Sequence, residues 1–294
     1  ATFTADMLQH QYDQQANQVL CTVAPRHWTN NRADSNTFGL EPQYGCCTAN
    51  QHQGWPKFAA NLWMATPDEG LAAVFYGPCT AKGRVRGGQV ATVEVDTDYP
   101  FGETIRATVS VENPATFPLK FRIPAWTDEA AISVNGEAED VEPGTFHTIE
   151  REWSNGDTVE LTFPMAVEVE RRFNDSVTVI RGPIVYSLKI GERWEVIEDR
   201  EYVPDYAVHP TTPWNYGLII DPEEPEIEIV EKGIQGNAIW SSETAPIELR
   251  VNGRRIPEWE MVDEQAGPLP QSPVKSDQPV EKLTLIPYGC AKLR

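Results

Sequence analysis

Hydrophobic and polar residues alternate with a period of two along most of the chain beyond residue 66, which is the pattern of half-buried strands. Six such runs occur before residue 166, at residues 71–76, 90–95, 105–111, 119–123, 131–134 and 159–163. The turn sequences Asn135-Gly136 and Asn155-Gly156 favour the positive φ of tight hairpins. No helical pattern lies between these runs, so we expect an antiparallel β-sandwich over residues 67–165.

The strand pattern continues from residue 166 onwards. The further runs are at residues 167–169, 177–180, 184–190, 227–230, 247–251 and 283–286. Asn252-Gly253 is another hairpin sequence, and the acidic, proline-containing stretch at 221–226 is typical of a solvated loop. We therefore expect a second β-sandwich domain over residues 166–294.

The first 66 residues differ from the rest because part of their hydrophobic spacing is helical. One apolar stripe at i, i+3, i+4, i+7 and i+8 is formed by Trp55, Phe58, Ala59, Leu62 and Trp63. A shorter helical pattern covers residues 3–8. The predicted fold class is thus mainly β, with two β-sandwich domains preceded by a short helical segment.

Composition and charge narrow the range of partners. The 294 residues are 40% hydrophobic and 23% charged, which is the balance of a folded globular protein. The formal net charge of −20 opposes binding to phosphates or to anionic lipid. No apolar run approaches the roughly 18–20 residues of a membrane span. We therefore expect neither a nucleic-acid partner nor a membrane partner.

Two of the five cysteines, Cys46 and Cys47, are adjacent. A disulfide between neighbours closes a strained ring, so the pair is either structural and buried, or it ligates a metal, or it holds a nucleophile. Zinc requires four ligands, and the local candidates that could add to two thiolates are Glu41 and His52. Spacing alone does not decide among these three roles.

Other common catalytic arrangements have no support in the sequence. There is no Gly-x-Ser-x-Gly nucleophile elbow, no glycine-rich phosphate loop after a strand and no His-Glu-x-x-His motif. The nine tryptophans and nine tyrosines could stack on sugar rings, although burial in the core is the commoner fate of any one of them.

The run at residues 44–58, which reads YGCCTANQHQGWPKF, closely resembles the Cys-Cys segment of the β-L-arabinofuranosidase family, glycoside hydrolase family 127. The resemblance extends to four further stretches, at residues 11–18, 153–159, 181–186 and 286–290. It therefore reaches across nearly the whole chain.

The resemblance implies an (α/α)6 toroidal catalytic domain followed by two β-sandwich domains. It also implies a retaining mechanism in which a zinc-bound cysteine thiolate attacks the anomeric carbon of a furanoside. By position, Cys46 matches the nucleophile, which is also a zinc ligand, and Cys47 matches the adjacent zinc ligand. Tyr12 resembles a tyrosine that lines the sugar pocket, and we place His52 beside it as a second substrate-binding candidate.

The chain departs from the family upstream of the cysteine pair. In the family, a Glu-x-Cys pair of zinc ligands and the acid/base glutamate lie further upstream than the 45 residues that precede Cys46 here, and no Glu-x-Cys occurs among those residues. We therefore expect residues 1–66 to be the C-terminal remnant of the catalytic domain, followed by sandwiches at 67–165 and 166–294.

This organisation carries expectations about activity and partners. The intact enzyme would bind zinc and an arabinofuranoside-type carbohydrate, whereas the isolated chain would be inactive and would hold zinc weakly or not at all. A missing N-terminal catalytic portion is an expected partner, and we expect a homo-oligomer because the apolar stripe that begins at Trp55 lacks the toroid helices. The alternative is a non-catalytic β-sandwich module for carbohydrate binding or assembly.

Overall fold

A computed structural model describes residues 2–39, 45, 49–50 and 52–294. The fold is mainly β, which confirms the predicted class. It divides into two compact units. Unit 1 combines Ala1–Gln51 with Val167–Arg294, and unit 2 is His52–Ala166. The assignment of residues 1–66 to a catalytic-domain remnant stays a prediction.

The described residues include 24 strands and the α-helix Gly54–Ala60. The first strands of unit 1 are β1 (Thr2–Phe3), β2 (His10–Gln11) and β3 (Phe38–Gly39). Unit 2 follows with α1 (Gly54–Ala60), β4 (Trp63–Ala65), β5 (Leu71–Ala73), β6 (Cys79–Arg84), β7 (Val90–Thr97), β8 (Thr104–Val111), β9 (Ala115–Arg122), β10 (Ala131–Val134), β11 (Glu137–Glu139), β12 (Phe146–Trp153) and β13 (Thr158–Thr162).

The chain then returns to unit 1. Its remaining strands are β14 (Val167–Arg171), β15 (Val177–Arg181), β16 (Ile184–Leu188), β17 (Glu192–Glu198), β18 (Asp205–Pro210), β19 (Tyr216–Leu218), β20 (Glu228–Glu231), β21 (Ile247–Arg255), β22 (Met261–Val262), β23 (Gln265–Ala266) and β24 (Glu281–Pro287). Within the described ranges, no helix is long and apolar enough to cross a membrane.

Unit 2 is a β-sandwich. Its larger sheet has the order β11-β10-β13-β8-β7-β6, and its smaller sheet has the order β12-β9-β5-β4. Neighbouring strands are antiparallel except β5 and β9, which are parallel. Inward side chains of both sheets, such as Val93, Leu161, Phe117 and Trp153, form one buried core. Burying apolar surface on both inner faces is what holds the two sheets together.

The period-two pattern correctly predicted four strands of the larger sheet, β7, β8, β10 and β13, but it did not predict β6 or β11. In β7, Ala91, Val93 and Val95 are buried, whereas Glu94 between them is exposed. This follows because successive side chains of a strand point to opposite faces of the sheet. The predicted run at residues 71–76 is only partly a strand, because β5 ends at Ala73.

Gly70 lies where β5 begins beside β9. A Cβ atom at this position would collide with the backbone carbonyl oxygen of Pro118, and a backbone group moves only if the strand moves. We expect Gly70→Ala to lower the free energy of unfolding by about 1–3 kcal/mol, the usual cost of overpacking. Urea denaturation checks this, with Gly77→Ala as the matched control because nothing lies within 4 Å of its added Cβ. Equal effects of the two variants would contradict the prediction.

Strands from both ends of the chain come together in unit 1. One sheet has the order β1-β2-β3-β18-β17, in which Phe38 pairs with Tyr206. A separate bridge joins Cys21 to Val208. The other main sheet has the order β14-β15-β16-β24-β21-β19, with β20 paired to β21. The early residues are therefore part of the β structure of this unit.

The prediction of a helix over residues 3–8 is wrong. Phe3 pairs with His10 in an antiparallel hairpin, and Met7 has a left-handed φ of 62°. The Asp6 carboxylate accepts hydrogen bonds from the Thr4 hydroxyl at 2.5 Å and the Leu8 amide at 3.1 Å. Such local side-chain hydrogen bonds compete with helix formation. In addition, a helix of six residues forms too few backbone hydrogen bonds to offset the unfavourable free energy of nucleation.

The second predicted helix is present but shorter than its apolar stripe. The α1 helix ends at Ala60, and Trp63 pairs with Ala73 in β4 and β5. No residue of α1 is buried, and Trp55 and Phe58 are 55% and 47% exposed. The stripe therefore mixes helical and strand positions. The homo-oligomer expected from it stays a prediction.

Candidate functional site

The predicted nucleophile Cys46 and its neighbour Cys47 lie outside the described residues, as does Glu41. Gly45, Ala49 and Asn50, which flank the cysteine pair, are helical. The roles of Cys46 and Cys47 as nucleophile and zinc ligands therefore stay predictions.

The other two predicted site residues are described. Tyr12 lies in unit 1, directly after β2, and is half-buried. His52 lies in unit 2 before α1 and is exposed. Across residues 2–39, 45, 49–50 and 52–294, no group of three or more His, Cys, Asp or Glu side chains could hold a metal ion. The substrate-binding roles of Tyr12 and His52 stay predictions.

Both neighbours of Tyr12 in the chain are held by hydrogen bonds. The Asp13 amide donates to the Ser35 carbonyl oxygen at 2.9 Å. The Asp13 carboxylate accepts from the Asn31 amide at 2.7 Å and from the Thr29 hydroxyl at 3.1 Å. On the other side, Gln11 is completely buried. The backbone at Tyr12 is thus fixed from both directions.

Gln11 and Gln18 form a buried amide pair. Each Nε2 donates to the Oε1 of the other, at 2.7 Å from Gln11 and 3.1 Å from Gln18. The Gln11 amide also donates to the Asn36 carbonyl oxygen at 2.5 Å, and the Gln18 amide to the Lys292 carbonyl oxygen at 2.9 Å. Because buried amides require partners, this pair links three distant segments of the chain.

Loss of the amide pair should destabilise unit 1. We expect Gln11→Leu to lower the free energy of unfolding by about 1–3 kcal/mol, because Gln18 and the Asn36 carbonyl lose a buried partner. The double variant Gln11→Leu/Gln18→Leu should cost less than the two single losses together. Urea denaturation measures both effects. The exposed Gln235 gives a control, Gln235→Leu, which should change stability by less than about 0.5 kcal/mol. Additive single losses would contradict the pairing.

Arg294 connects this amide pair to an aromatic surface. Its backbone amide donates to the Gln18 carbonyl oxygen at 2.7 Å, and its guanidinium donates to Gln14 Oε1 at 2.9 Å. The guanidinium carbon also lies 4.3 Å from the centre of the Tyr288 ring, a cation–π geometry. Burial lowers the pKa of Arg294 from its usual value.

A cavity of about 530 Å³ lies inside unit 1. Strands β15, β16 and β24 contribute the aliphatic side chains Val179, Leu188 and Leu285 to its wall. Trp214 and Trp259 also line it, with ring centroids 5.1 Å apart in an edge-to-face arrangement. Its volume is within the range of about 300–1,000 Å³ that is typical of small-molecule sites.

Three of the stretches that carry the family resemblance meet at this cavity. Asn17 comes from the glutamine-rich stretch, Tyr186 from the Arg-Gly-Pro stretch, and Tyr288 from the stretch that follows Ile286. The motif analysis did not identify Trp214, Trp259 or Arg294, because no local pattern distinguishes them from ordinary core residues. Their common location exists only in the folded unit.

The described cysteines are poor nucleophiles. Cys21, Cys79 and Cys290 are free thiols. Burial raises the pKa of Cys21 and of Cys290 to about 12 each, and it also raises the pKa of Cys79. A protonated thiol is a weak nucleophile and a weak metal ligand. Of the five cysteines, Cys46 and Cys47 therefore stay as the candidates for thiolate chemistry.

Comparison with known proteins gives a family match for part of the chain. Residues 70–165 match the family model described as "Beta-L-arabinofuranosidase, GH127 middle domain". A search of curated proteins found no match.

Solved structures share the fold. Ara127N-Se, a GH127 beta-L-arabinofuranosidase from Geobacillus stearothermophilus T6, is 22% identical with a TM-score of 0.59, over 85% of this chain and 36% of that one. A structure titled "Glycoside hydrolase" is 21% identical with a TM-score of 0.64, over 100% and 44%. The GH127 beta-arabinofuranosidase BT3674 is 18% identical with a TM-score of 0.64, over 100% and 41%.

These matches concern first the fold and then one family of enzymes. The fold is one found in glycoside hydrolases. More narrowly, residues 70–165 match the GH127 middle-domain model and two of the structures with this fold are GH127 enzymes, which confirms the resemblance seen in the sequence. The chain spans less than half of the length of each of these solved structures.

Proposed function

We propose that the chain is the C-terminal portion of a retaining glycoside hydrolase that acts on terminal furanosides, in particular β-L-arabinofuranosides. The observation that carries this proposal is the match of residues 70–165 to the GH127 middle domain. This segment follows closely on the run that contains Cys46-Cys47. A hydrolase middle domain beside a candidate nucleophile favours the enzyme over an unrelated β-sandwich.

In the proposed reaction, Cys46 carries the covalent step. Its sulfur donates an electron pair to the anomeric carbon, and the bond from that carbon to the leaving oxygen breaks as the carbon–sulfur bond forms. A carboxylic acid outside this chain gives its proton to the leaving oxygen. Water, deprotonated by the same group, then displaces the sulfur and releases the sugar with its configuration retained.

Cys46 and Cys47 are the residues of this chain that would hold zinc. Bound zinc supplies a positive charge that keeps a coordinating thiol deprotonated at neutral pH. Thiolates are typical zinc ligands, but two of them occupy only two of the four coordination positions of zinc. We therefore propose that zinc belongs to the intact enzyme and that this chain alone holds it weakly.

Turnover measurements with and without the upstream portion test the proposal. The chain alone should release no nitrophenol from p-nitrophenyl β-L-arabinofuranoside, because the proposed proton donor belongs to the upstream portion. A longer chain that includes the upstream portion should hydrolyse the same substrate. Equal turnover by both chains would overturn the proposed inactivity. A folded longer chain that hydrolyses other glycosides only would overturn the proposed substrate.

A further inference from the structure

We infer that another cavity of unit 1, here called the Trp194 pocket, binds an alkylated ammonium group such as the trimethylammonium head of choline. The pocket measures about 380 Å³, within the range of about 300–1,000 Å³ that is typical of small-molecule sites. It is lined by Thr4, Ala5, Asp6, Gln9, Trp194, Tyr206 and Ala238. None of these described lining residues is basic. The inference does not depend on the proposed hydrolase function.

Two aromatic rings form a corner of the Trp194 pocket. The rings of Trp194 and Tyr206 have centroids 5.6 Å apart and an interplanar angle of 74°, and both side chains are half-buried. Trp194 also packs against the buried Phe38, with ring centroids 5.2 Å apart, so its ring is held in place before a ligand arrives. The negative face of an aromatic ring attracts a cation, and tryptophan does so most strongly.

A carboxylate increases this attraction at Trp194. The indole nitrogen donates to Glu192 Oε2 at 3.0 Å, and Glu192 Oε1 accepts the Lys292 backbone amide at 3.2 Å. An indole N–H that donates to a carboxylate shifts electron density into its ring, so the ring face becomes more negative. The hydrogen bond therefore both orients the ring and favours a cation against it.

The loop between β1 and β2 adds a negative charge to the pocket. Asp6 is exposed, and its Oδ1 accepts the Leu8 amide at 3.1 Å, which fixes the carboxylate. The Thr4 hydroxyl lies 2.5 Å from Asp6 Oδ1 and 2.9 Å from Gln9 Oε1. Because a hydroxyl has one proton, it serves only one of these two acceptors at a time. An unserved acceptor beside a carboxylate favours a positively charged ligand.

Other classes of ligand fit this lining less well. The Asp6 carboxylate and the net charge of −20 repel an anion. A hard metal ion such as Ca²⁺ requires six or more oxygen ligands, whereas much of the described lining is aromatic or methyl. A neutral sugar packs on aromatic rings but gains no Coulomb attraction from the carboxylate. An alkylated ammonium group uses both the rings and the charge.

Calorimetric titration of the full chain with choline chloride tests the inference, with sodium chloride as the blank for ionic strength. We expect one choline per chain with a Kd of about 1 mM or lower. The neutral carbon analogue, in which a tert-butyl group replaces the trimethylammonium group, should bind at least about fivefold more weakly because it lacks the charge. A parallel titration with the acetylated amide of trimethyllysine shows whether the same group binds better on a peptide. Binding of either ammonium compound supports the inference.

Asp6→Asn isolates the contribution of the charge. The asparagine keeps an oxygen for the Leu8 amide, so the loop should keep its conformation, and choline should bind about two- to fivefold more weakly. The matched control is Asp221→Asn in the same unit. Asp221 is also exposed, and it also accepts the backbone amide two positions further on, that of Glu223, at 3.0 Å. This control should bind choline as the wild type does.

Trp194→Leu isolates the contribution of the ring. Leucine keeps apolar contact with Phe38 but has no aromatic face, so choline should bind at least about tenfold more weakly. Trp55→Leu, at a position that is 55% exposed in unit 2, is the control and should leave binding unchanged. Circular dichroism checks that each variant is folded. Should Trp194→Leu fail to fold, Asp6→Asn at its exposed position still decides the test.

Three outcomes would overturn the inference. The first is no binding of either ammonium compound at millimolar concentrations. The second is equal affinity for choline and its neutral analogue, which would show that the charge does not select the ligand. The third is unchanged affinity for choline in Asp6→Asn and in folded Trp194→Leu, which would place any binding outside the Trp194 pocket.

Discussion

Cys46→Ser in the longer, active chain is expected to lower kcat for p-nitrophenyl β-L-arabinofuranoside by at least about 10⁴-fold, a loss typical of a removed nucleophile. Serine keeps nearly the size of cysteine, but its hydroxyl is not ionised near neutral pH and cannot form the proposed bond at a useful rate. Cys46→Ala should give a loss of the same order. Nitrophenol release measures kcat directly.

A second cysteine gives the matched control for this experiment. Cys79 is a free, partly buried thiol in unit 2, and burial raises its pKa. Cys79→Ser should therefore leave kcat within about threefold of the wild type, since a protonated thiol takes no part in attack. Turnover that survives Cys46→Ser would overturn the assignment of the nucleophile. A large loss from Cys79→Ser alone would point to that thiol instead.

Trp153→Ala is expected to lower the free energy of unfolding by about 3–5 kcal/mol, the usual cost of truncating a large buried aromatic residue. Trp153 is fully buried in the core of unit 2, with its ring centroid 6.2 Å from that of Phe117. Its indole nitrogen donates to the Phe117 carbonyl oxygen at 2.9 Å. The variant therefore leaves a cavity and also removes a buried hydrogen bond.

Two companion variants separate these causes. Trp153→Phe keeps an aromatic ring and loses the hydrogen bond, so it should cost less than half as much as Trp153→Ala. Trp55→Ala, at a position that is 55% exposed, should change stability by less than about 0.5 kcal/mol. Urea denaturation followed by far-ultraviolet circular dichroism measures all three, because the substitutions themselves alter fluorescence. A loss from Trp55→Ala as large as that from Trp153→Ala would contradict the described core.

Local pattern sufficed for four strands of the larger sheet of unit 2, although it missed β6, β11 and β12. The long strands of this sheet, such as β7 and β8, bury alternate residues from Val93 to Val109. A strand of eight residues repeats the alternation often enough to be read from the chain. The Asn135-Gly136 turn was equally readable, because both residues adopt positive φ there.

The hydrophobic pattern did not predict the short strands of unit 1. β1 and β2 have two residues each, which is too short for any period to appear. The pairing of Phe38 with Tyr206 joins residues far apart in the chain. Pairing with this distant partner fixes β3 in the sheet. The hairpin at residues 3–8, in contrast, depends on the local Asp6 hydrogen bonds and the pairing of β1 with β2.

The two candidate sites also differ in whether the sequence alone identifies them. The chain by itself determined the thiolate candidates, because Cys46 and Cys47 are neighbours and their adjacency needs no folding to be seen. Only the tertiary structure decided the cavity, which brings Asn17 and Trp259 to one place in unit 1. The sequence shows directly that two residues are adjacent in the chain. Which distant residues line one cavity depends on how the sheets pack, and hydrophobic burial over the whole unit determines that packing.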